Sequence, residues 1–321
     1  MFFVKGDSEK INELTAAHHE IGVSEMATDL EGEYIKFFEE IFGDRLNAKN
    51  TGDFTVGIDA ANGATYEVAE KVFTKLGIKY KIISNNPDGI NINENCGSTH
   101  LENLKKFVIE NKLNLGIAYD GDGDRCLAVD EKGNVIDGDV ILAIISEKLK
   151  NNTLVATVMS NLGLNKYCLE QGMNIKQTKV GDRYVLEEML KEDYNLGGEQ
   201  SGHIIFLDYN PTGDGILTSL MLIEAVINKG VPASEVAKLI TIYPQVLVNV
   251  KVENDKKMDY QKDSVIMEAM EELEKSEEIG RILIRPSGTE PLVRVMIEGK
   301  DKEYITQKAN ELAELMKERL Q

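Results

Sequence analysis

The sequence predicts an α/β protein: two α/β units of similar size with mixed, largely parallel sheets, followed by a smaller α+β unit. Three observations carry this reading. From Phe54 to about Asn228, short apolar runs alternate with amphipathic helical stretches, as in a sheet whose strands are joined by crossover helices. The polar run Lys150-Asn151-Asn152 interrupts that alternation, which then restarts. Beyond Tyr243 the apolar runs lie close together with helices on either side, which fits an antiparallel sheet. A chain of 321 residues is long enough for two or three domains, and the expected divisions are 1–50, 51–150, 151–242 and 243–321.

The elements follow in order. Phe2-Phe3-Val4 is a strand-like scrap, and Ser8 can cap a helix to His19, whose His18 and His19 lack metal-ligating partners. A second helix spans about Asp29 to Phe42, with Tyr34, Ile35, Phe38, Ile41 and Phe42 on one face. Residues 43–52 read as a polar connector. The first unit then runs as strand Phe54–Asp59, a helix opened by Asn62–Thr65, strand Tyr80–Ile83, a polar loop over 85–93 and a helix from about Leu101. Strands Leu113–Tyr119 and Cys126–Val129 come next, with a hairpin over 130–133 returning to Val135-Ile136. The second unit has strand Leu154–Met159, helix Leu164–Gln171, strand Ile175–Lys179, a helix opened by Val180–Val185, strand Ile204–Leu207 and the long helix Ile216–Asn228. The third has strand Val246–Val252, helix Ser264–Lys275, strands Arg281–Ile284 and Leu292–Glu298, and helix Glu303–Arg319.

Composition excludes several classes. A hydrophobic content of 42% is ordinary for a soluble domain, and a net charge of −19 argues against nucleic acid and against anionic membrane surfaces. Any phosphorylated ligand must therefore be held by a local basic site. Cys96, Cys126 and Cys168 are too few and too far apart for a disulfide framework and fit reduced thiols in the cytoplasm. No apolar run approaches the ~20 residues of a membrane span.

Three loops carry candidate chemistry. Asp120-Gly121-Asp122-Gly123-Asp124-Arg125 lies between two strands, and its glycines allow the three carboxylates to converge. Carboxylates that close repel one another unless a cation sits among them, and oxygen-only ligands suit Mg²⁺ before Ca²⁺ or Mn²⁺. The alternatives are a solvated acidic turn and a helix–loop–helix calcium site. The latter wants Gly where Arg125 stands and helices where the flanks read as strands. In Gly198–His203, an extended chain would put Glu199, Ser201 and His203 on one side, giving donors and acceptors suited to sugar hydroxyls; a plain strand edge is the alternative. In Arg285–Pro291, Arg285 offers a planar fork, Ser287 and Thr289 add hydroxyls, and Gly288 lets backbone NH groups turn inward. That set suits an anion, with Arg294 just beyond; the alternative is a hairpin turn.

Together these motifs resemble the α-D-phosphohexomutase superfamily: its magnesium loop at Asp120–Arg125, its sugar loop at Gly198–His203 and its phosphate loop at Arg285–Pro291. Val158–Gly163, Val180–Val185 and Gln200 favour the glucosamine branch over the phosphoglucomutase and phosphomannomutase branch. The resemblance implies two α/β domains of one shared topology and a smaller phosphate-binding domain. It further implies Mg²⁺ on Asp120, Asp122 and Asp124 with Arg125 beside it as a catalytic group. The sugar would be gripped by Glu199, Ser201 and His203, and the phosphate by Arg285, Ser287, Gly288, Thr289 and Arg294. The implied activity is interconversion of glucosamine 6-phosphate and glucosamine 1-phosphate through a bisphosphate intermediate, for amino-sugar nucleotide and cell-wall precursor synthesis. One departure counts against a complete cycle: the family's phosphoserine loop, of Ser-Ala-Ser-His-Asn-Pro or Thr-Ala-Ser-His-Asn-Pro type, is not in this sequence. The expectation is a chain that begins after that domain, with residues 1–50 its remnant and a linker helix. Such a chain is inactive alone and partners a separate serine-loop domain or another subunit. The competing expectations are a non-catalytic sugar-phosphate-binding remnant and a relative with glucose or mannose specificity.

Overall fold

The computed structural model describes residues 22, 23, 29–287 and 290–320. The expectations for Phe2-Phe3-Val4, for the helix to His19, and for Gly288 and Thr289 lie outside the described residues.

Helix α1 (Leu30–Phe42) buries Phe38 and Phe42 and packs on the helix Thr65–Leu76, as its apolar stripe predicts. The connector 43–52 is not wholly irregular. Asn47 accepts from the backbone N–H groups of Lys49 and Asn50 and so caps a one-turn helix, α2 (Ala48–Thr51). The first sheet comprises β1 (Thr55–Asp59), β2 (Lys79–Ile83), β3 (Leu115–Tyr119), β4 (Cys126–Asp130) and β5 (Val135–Ile136), in the order β2-β1-β3-β4-β5. Helices α3 (Thr65–Leu76) and α4 (Glu102–Asn111) cross over between its parallel strands, and β4 and β5 return antiparallel.

The second sheet repeats that plan. It comprises β6 (Thr153–Thr157), β7 (Asn174–Thr178), β8 (Leu196–Gly198) and β9 (Ile204–Phe206), in the order β7-β6-β8-β9. Its pairings run parallel, parallel, antiparallel, as in β2-β1-β3-β4. Helices α6 (Leu162–Glu170), α7 (Asp182–Glu192) and α8 (Gly215–Lys229) belong to this unit. Before it comes α5 (Gly138–Ile145), every residue of which is buried, and which packs on α6 and α8. After α8 comes the short α9 (Ala233–Val236).

The third sheet is antiparallel, in the order β10-β12-β11: β10 (Gln245–Lys251), β11 (Ile279–Pro286) and β12 (Leu292–Gly299). It carries α10 (Ser264–Glu274) and the C-terminal α11 (Lys302–Arg319) on one side. One large hydrophobic core runs through the first two units, from Phe38 to Ile240, with smaller clusters around Leu104 and Val129 and around Val155 and Val185. The third unit has cores of its own around Val293, Val295 and Met316 and around Ile297 and Ile305. Among the described residues, no single helix is long and apolar enough to cross a membrane.

Candidate active site

The acidic loop joins β3 to β4, and its shape is dictated by the turn after β1. Ala61 and Asn62 take left-handed backbone conformations, so the chain reverses sharply there, and the N–H of Ala64 donates to the Gly121 carbonyl at 2.8 Å. Gly63 lies so close that a Cβ there would collide with the Gly121 backbone. Asp59 fixes this turn from beneath, accepting from the N–H groups of Ala61 (3.0 Å) and Gly97 (2.9 Å), and its burial raises its pKa.

On this support Asp120, Asp122 and Asp124 each bring a carboxylate oxygen within 4.8 Å of the others. The three are not equivalent. Asp120 is buried and accepts from Arg125 twice, from the backbone N–H at 3.1 Å and from Nε at 2.7 Å. Burial works against the Arg125 charge, but Asp120, Asp124 and Asp122 together raise its pKa. Asp122 is exposed. Asp124 uses Oδ2 to accept from His203 Nδ1 at 2.9 Å, while its Oδ1 is buried and has no hydrogen-bond partner among the described residues. Arg125 Nε lies 3.6 Å from that Oδ1, beyond hydrogen-bond reach, and three converging carboxylates are a donor set that suits a hard divalent cation. The helix α8 terminus also backs the loop, since the Gly215 N–H donates to the Gly123 carbonyl at 2.9 Å.

The segment Gly198–His203 departs from the extended form expected for it. Gly202 takes a φ of 92°, its N–H donates to the Glu199 carbonyl, and the chain turns a tight hairpin between β8 and β9. Glu199, Ser201 and His203 do not share one edge: Glu199 and Ser201 stay together while His203 parts from them. Glu199 Oε1 accepts from the Gly181 N–H at 3.0 Å, and the exposed Ser201 hydroxyl reaches Glu199 Oε2 at 3.5 Å. His203 is buried and belongs to the acidic loop instead. Its Nε2 accepts from the Gly213 N–H at 3.1 Å, which leaves Nδ1 to carry the proton donated to Asp124. A bridge between Arg125 and His203 and a Cys126 N–H to Gly202 carbonyl bond knit the hairpin to the acidic loop.

Arg285, the last residue but one of β11, lies directly opposite Arg294 on β12. Two like charges facing across a ladder are destabilising unless an anion comes between them. Burial first, and then Arg294, hold the Arg285 pKa below the usual guanidinium value, and Glu199 is the carboxylate that opposes them. Arg294 gives one Nη2 bond to Glu290 at 3.1 Å, but its Nε is buried and unpartnered among the described residues. Ser287 is buried, accepts from the Glu290 N–H at 3.1 Å and has its carbonyl held by Lys257 Nζ at 2.8 Å.

Three features of the site escape sequence reading. The His203–Asp124 pair spans 79 residues, and Gln200 Nε2 donates to Asp137 over 63. Lys257 comes from a stretch with no motif. Gln200 and Gly181, inside the Val180–Val185 run, carried a family signal but no sign of their partners Asp137 and Glu199.

Residues 32–133, 137–243 and 247–315 match, respectively, the alpha/beta/alpha domain II, the alpha/beta/alpha domain III and the C-terminal domain of phosphoglucomutase/phosphomannomutase. Among curated proteins, the phosphoglucosamine mutase of Caldicellulosiruptor saccharolyticus is 54% identical over 292 residues, 89% of this chain and 65% of that protein. That of Acetivibrio thermocellus is 54% identical over 296 residues, 90% of this chain and again 65% of the relative. The chain thus spans just under two thirds of the length of these relatives. Among solved structures, Aspergillus fumigatus N-acetylphosphoglucosamine mutase, in complex with GlcNAc-6P and magnesium, superposes with a TM-score of 0.73 at 19% identity, covering 93% of this chain and 67% of that one. A Burkholderia thailandensis protein of the phosphoglucomutase/phosphomannomutase family gives a TM-score of 0.74 at 19% identity, covering 90% and 64%.

Proposed function

The chain belongs to the phosphoglucomutase/phosphomannomutase family, and from that premise we propose that its three loops form the metal, sugar and phosphate sites of a phosphoglucosamine mutase interconverting glucosamine 6-phosphate and glucosamine 1-phosphate. One observation supports this above the rest. A buried carboxylate oxygen, Asp124 Oδ1 in the acidic loop, and a buried guanidinium nitrogen, Arg294 Nε on β12 opposite Arg285, lack hydrogen-bond partners among the described residues. One therefore asks for a cation and the other for an anion.

In this reading Asp120, Asp122 and Asp124 hold Mg²⁺, the ion crystallised with the Aspergillus enzyme. When bound, the ion neutralises charge on the transferring phosphoryl group. His203 fixes Asp124, and Arg125 is held beside the metal by Asp120. Glu199 and Ser201 accept and donate to sugar hydroxyls, Glu199 being steadied by the Gly181 N–H. Arg285 and Arg294 take the non-reacting phosphate, with Ser287, Gly288 and Thr289 completing that loop. The division into units at about 51, 151 and 243 follows these three sites. Transfer also needs a phosphoryl carrier. It is supplied by a serine loop outside these 321 residues, in the same polypeptide or in a partner. Three buried, free cysteines fit a cytoplasmic setting.

The test is a coupled assay of glucosamine 6-phosphate conversion, primed with a hexose bisphosphate, on this polypeptide alone and with a separately made serine-loop domain. Turnover that needs the added domain is the expected result. Turnover by these residues alone would refute the outside carrier, and conversion of mannose or glucose phosphates in preference would refute the glucosamine assignment.

A further inference from the structure

The segment Val158–Gly163, the loop after β6 with the first two residues of α6, takes no part in the three sites above, yet contacts from both neighbouring units end on it. Asn161 is buried. Its Oδ1 accepts from the Tyr243 N–H at 3.0 Å and its Nδ2 donates to the Tyr243 carbonyl at 2.9 Å. Both polar groups of one linker peptide position are thus held by one side chain, just before the third unit begins. The third unit reaches back to the same loop. Arg281 donates to the carbonyls of Val158 (3.2 Å) and Ser160 (2.8 Å), and Glu298, fully buried, accepts from the Leu162 N–H at 3.2 Å. Arg281 and Glu298 pair across the ladder, with Nε to Oε2 at 2.6 Å. Among the described residues, every direct hydrogen bond from residues 245–320 to residues 29–242 ends on this loop.

The loop is itself rigidly seated. Asp139 accepts from the Asn161 N–H at 2.7 Å, the Asn161 side chain also caps α6 at Gly163, and a Cβ on Gly163 would collide with the Thr241 carbonyl. On β11, Arg281 and Arg285 lie four residues apart and so share a face, about 13 Å from one another. Their cross-strand partners are Glu298 and Arg294. One face of the ribbon therefore carries a closed charge pair at the end that grips the loop and an open pair, Arg285 and Arg294, at the other, where Arg285 feels the charge of Glu199 in the second unit. Because the third unit has its own cores, no shared apolar core fixes that facing.

We propose that Val158–Gly163 is the joint that sets Arg285 and Arg294 opposite Glu199, with Asn161, Arg281 and Glu298 as positioning residues for a ligand that must reach both units. The inference rests on the sugar-phosphate reading above. Two substitutions loosen the joint without emptying a buried charge site: Asn161→Ser, which keeps a capping oxygen, and Arg281→Lys, which keeps the charge but loses the fork.

The experiment follows glucosamine 6-phosphate and inorganic phosphate separately by phosphorus NMR titration of the full chain. It also measures the distance between spin labels at Lys191→Cys and Glu314→Cys, the native cysteines being buried. Each joint variant is expected to bind glucosamine 6-phosphate about tenfold more weakly, keep its affinity for inorganic phosphate, and broaden the label distance. Unchanged sugar-phosphate affinity with an unchanged distance overturns the joint, and so does equal loss of both ligands, which marks a third unit that has come apart. If the wild-type chain does not bind glucosamine 6-phosphate, the functional reading fails and the label distance alone decides the joint.

Discussion

The acidic loop and the Glu199–His203 hairpin occupy the same place in two copies of one topology. Each follows the third strand of the sheet order and leads into the antiparallel fourth, β3 to β4 in one unit and β8 to β9 in the other. In the first unit the connection is six residues of alternating Asp and Gly, closed by Arg125, and collects negative charge. In the second it is a tight hairpin that presents one carboxylate and one hydroxyl. The turns after the first strands diverge too. The turn after β1 braces the acidic loop through Gly63 and Ala64, whereas the turn after β6 faces away and grips the third unit. A shared scaffold thus fixes where the loops sit, and what differs is their composition: three carboxylates in one, one carboxylate and one hydroxyl in the other.

The comparison breaks most visibly at the metal loop. Asp122→Ala is expected to abolish Mg²⁺ binding in calorimetry while sugar-phosphate affinity in the absence of metal persists. Binding that survives the substitution would move the ion elsewhere.

Next in size, Arg285→Ala removes a charged hydrogen bond worth ~1.5–3 kcal/mol, and glucosamine 6-phosphate is expected to bind about tenfold more weakly or worse. An NMR titration checks it, and Mg²⁺ affinity should not move.

A matched pair of glycine substitutions sharpens the comparison. A Cβ at Gly63 collides with Gly121 of the acidic loop, and one at Gly138 collides with the Glu199 carbonyl. Gly63→Ala is expected to weaken Mg²⁺ more than sugar phosphate, and Gly138→Ala the reverse. Equal effects on both ligands would mean that the two loops are not independently braced.

The smallest effect expected is on stability. Burial first, then Asp137, push the buried Asp139 carboxyl up to about 7. A raised carboxyl pKa stabilises the fold most at low pH, and that contribution is lost as pH rises through about 7. Asp139→Asn should therefore raise the melting temperature relative to wild type more at pH 8 than at pH 5; a pH-independent difference would show that Asp139 does not titrate in this range.

Most of this architecture was legible in the sequence because strand and helix periodicities were clean from Thr55 onward. Helix α5 was not, because Val140–Ile145 is apolar on every side and carries no 3.6-residue contrast. Strand β8 is three residues long and two of them are glycine. The acidic residues and the arginines were found by composition, but the period-2 reading of Glu199, Ser201 and His203 failed where Gly202 turned the chain. His203 then fell to Asp124, a pairing that only the docking of the two units creates. The role of Val158–Gly163 was likewise invisible, since it consists of backbone groups offered to residues more than a hundred positions away.

The central claim is that cation and sugar-phosphate sites meet in one cleft, and relaxation of the glucosamine 6-phosphate phosphorus signal by bound Mn²⁺ tests it most directly. The account predicts a relaxation enhancement with the wild-type chain that disappears in Asp122→Ala, where the sugar phosphate still binds, and that falls in Arg285→Ala in step with the weaker binding of the sugar phosphate. An enhancement that is absent from the wild type although both ligands bind, or that persists unchanged in Asp122→Ala, would contradict it.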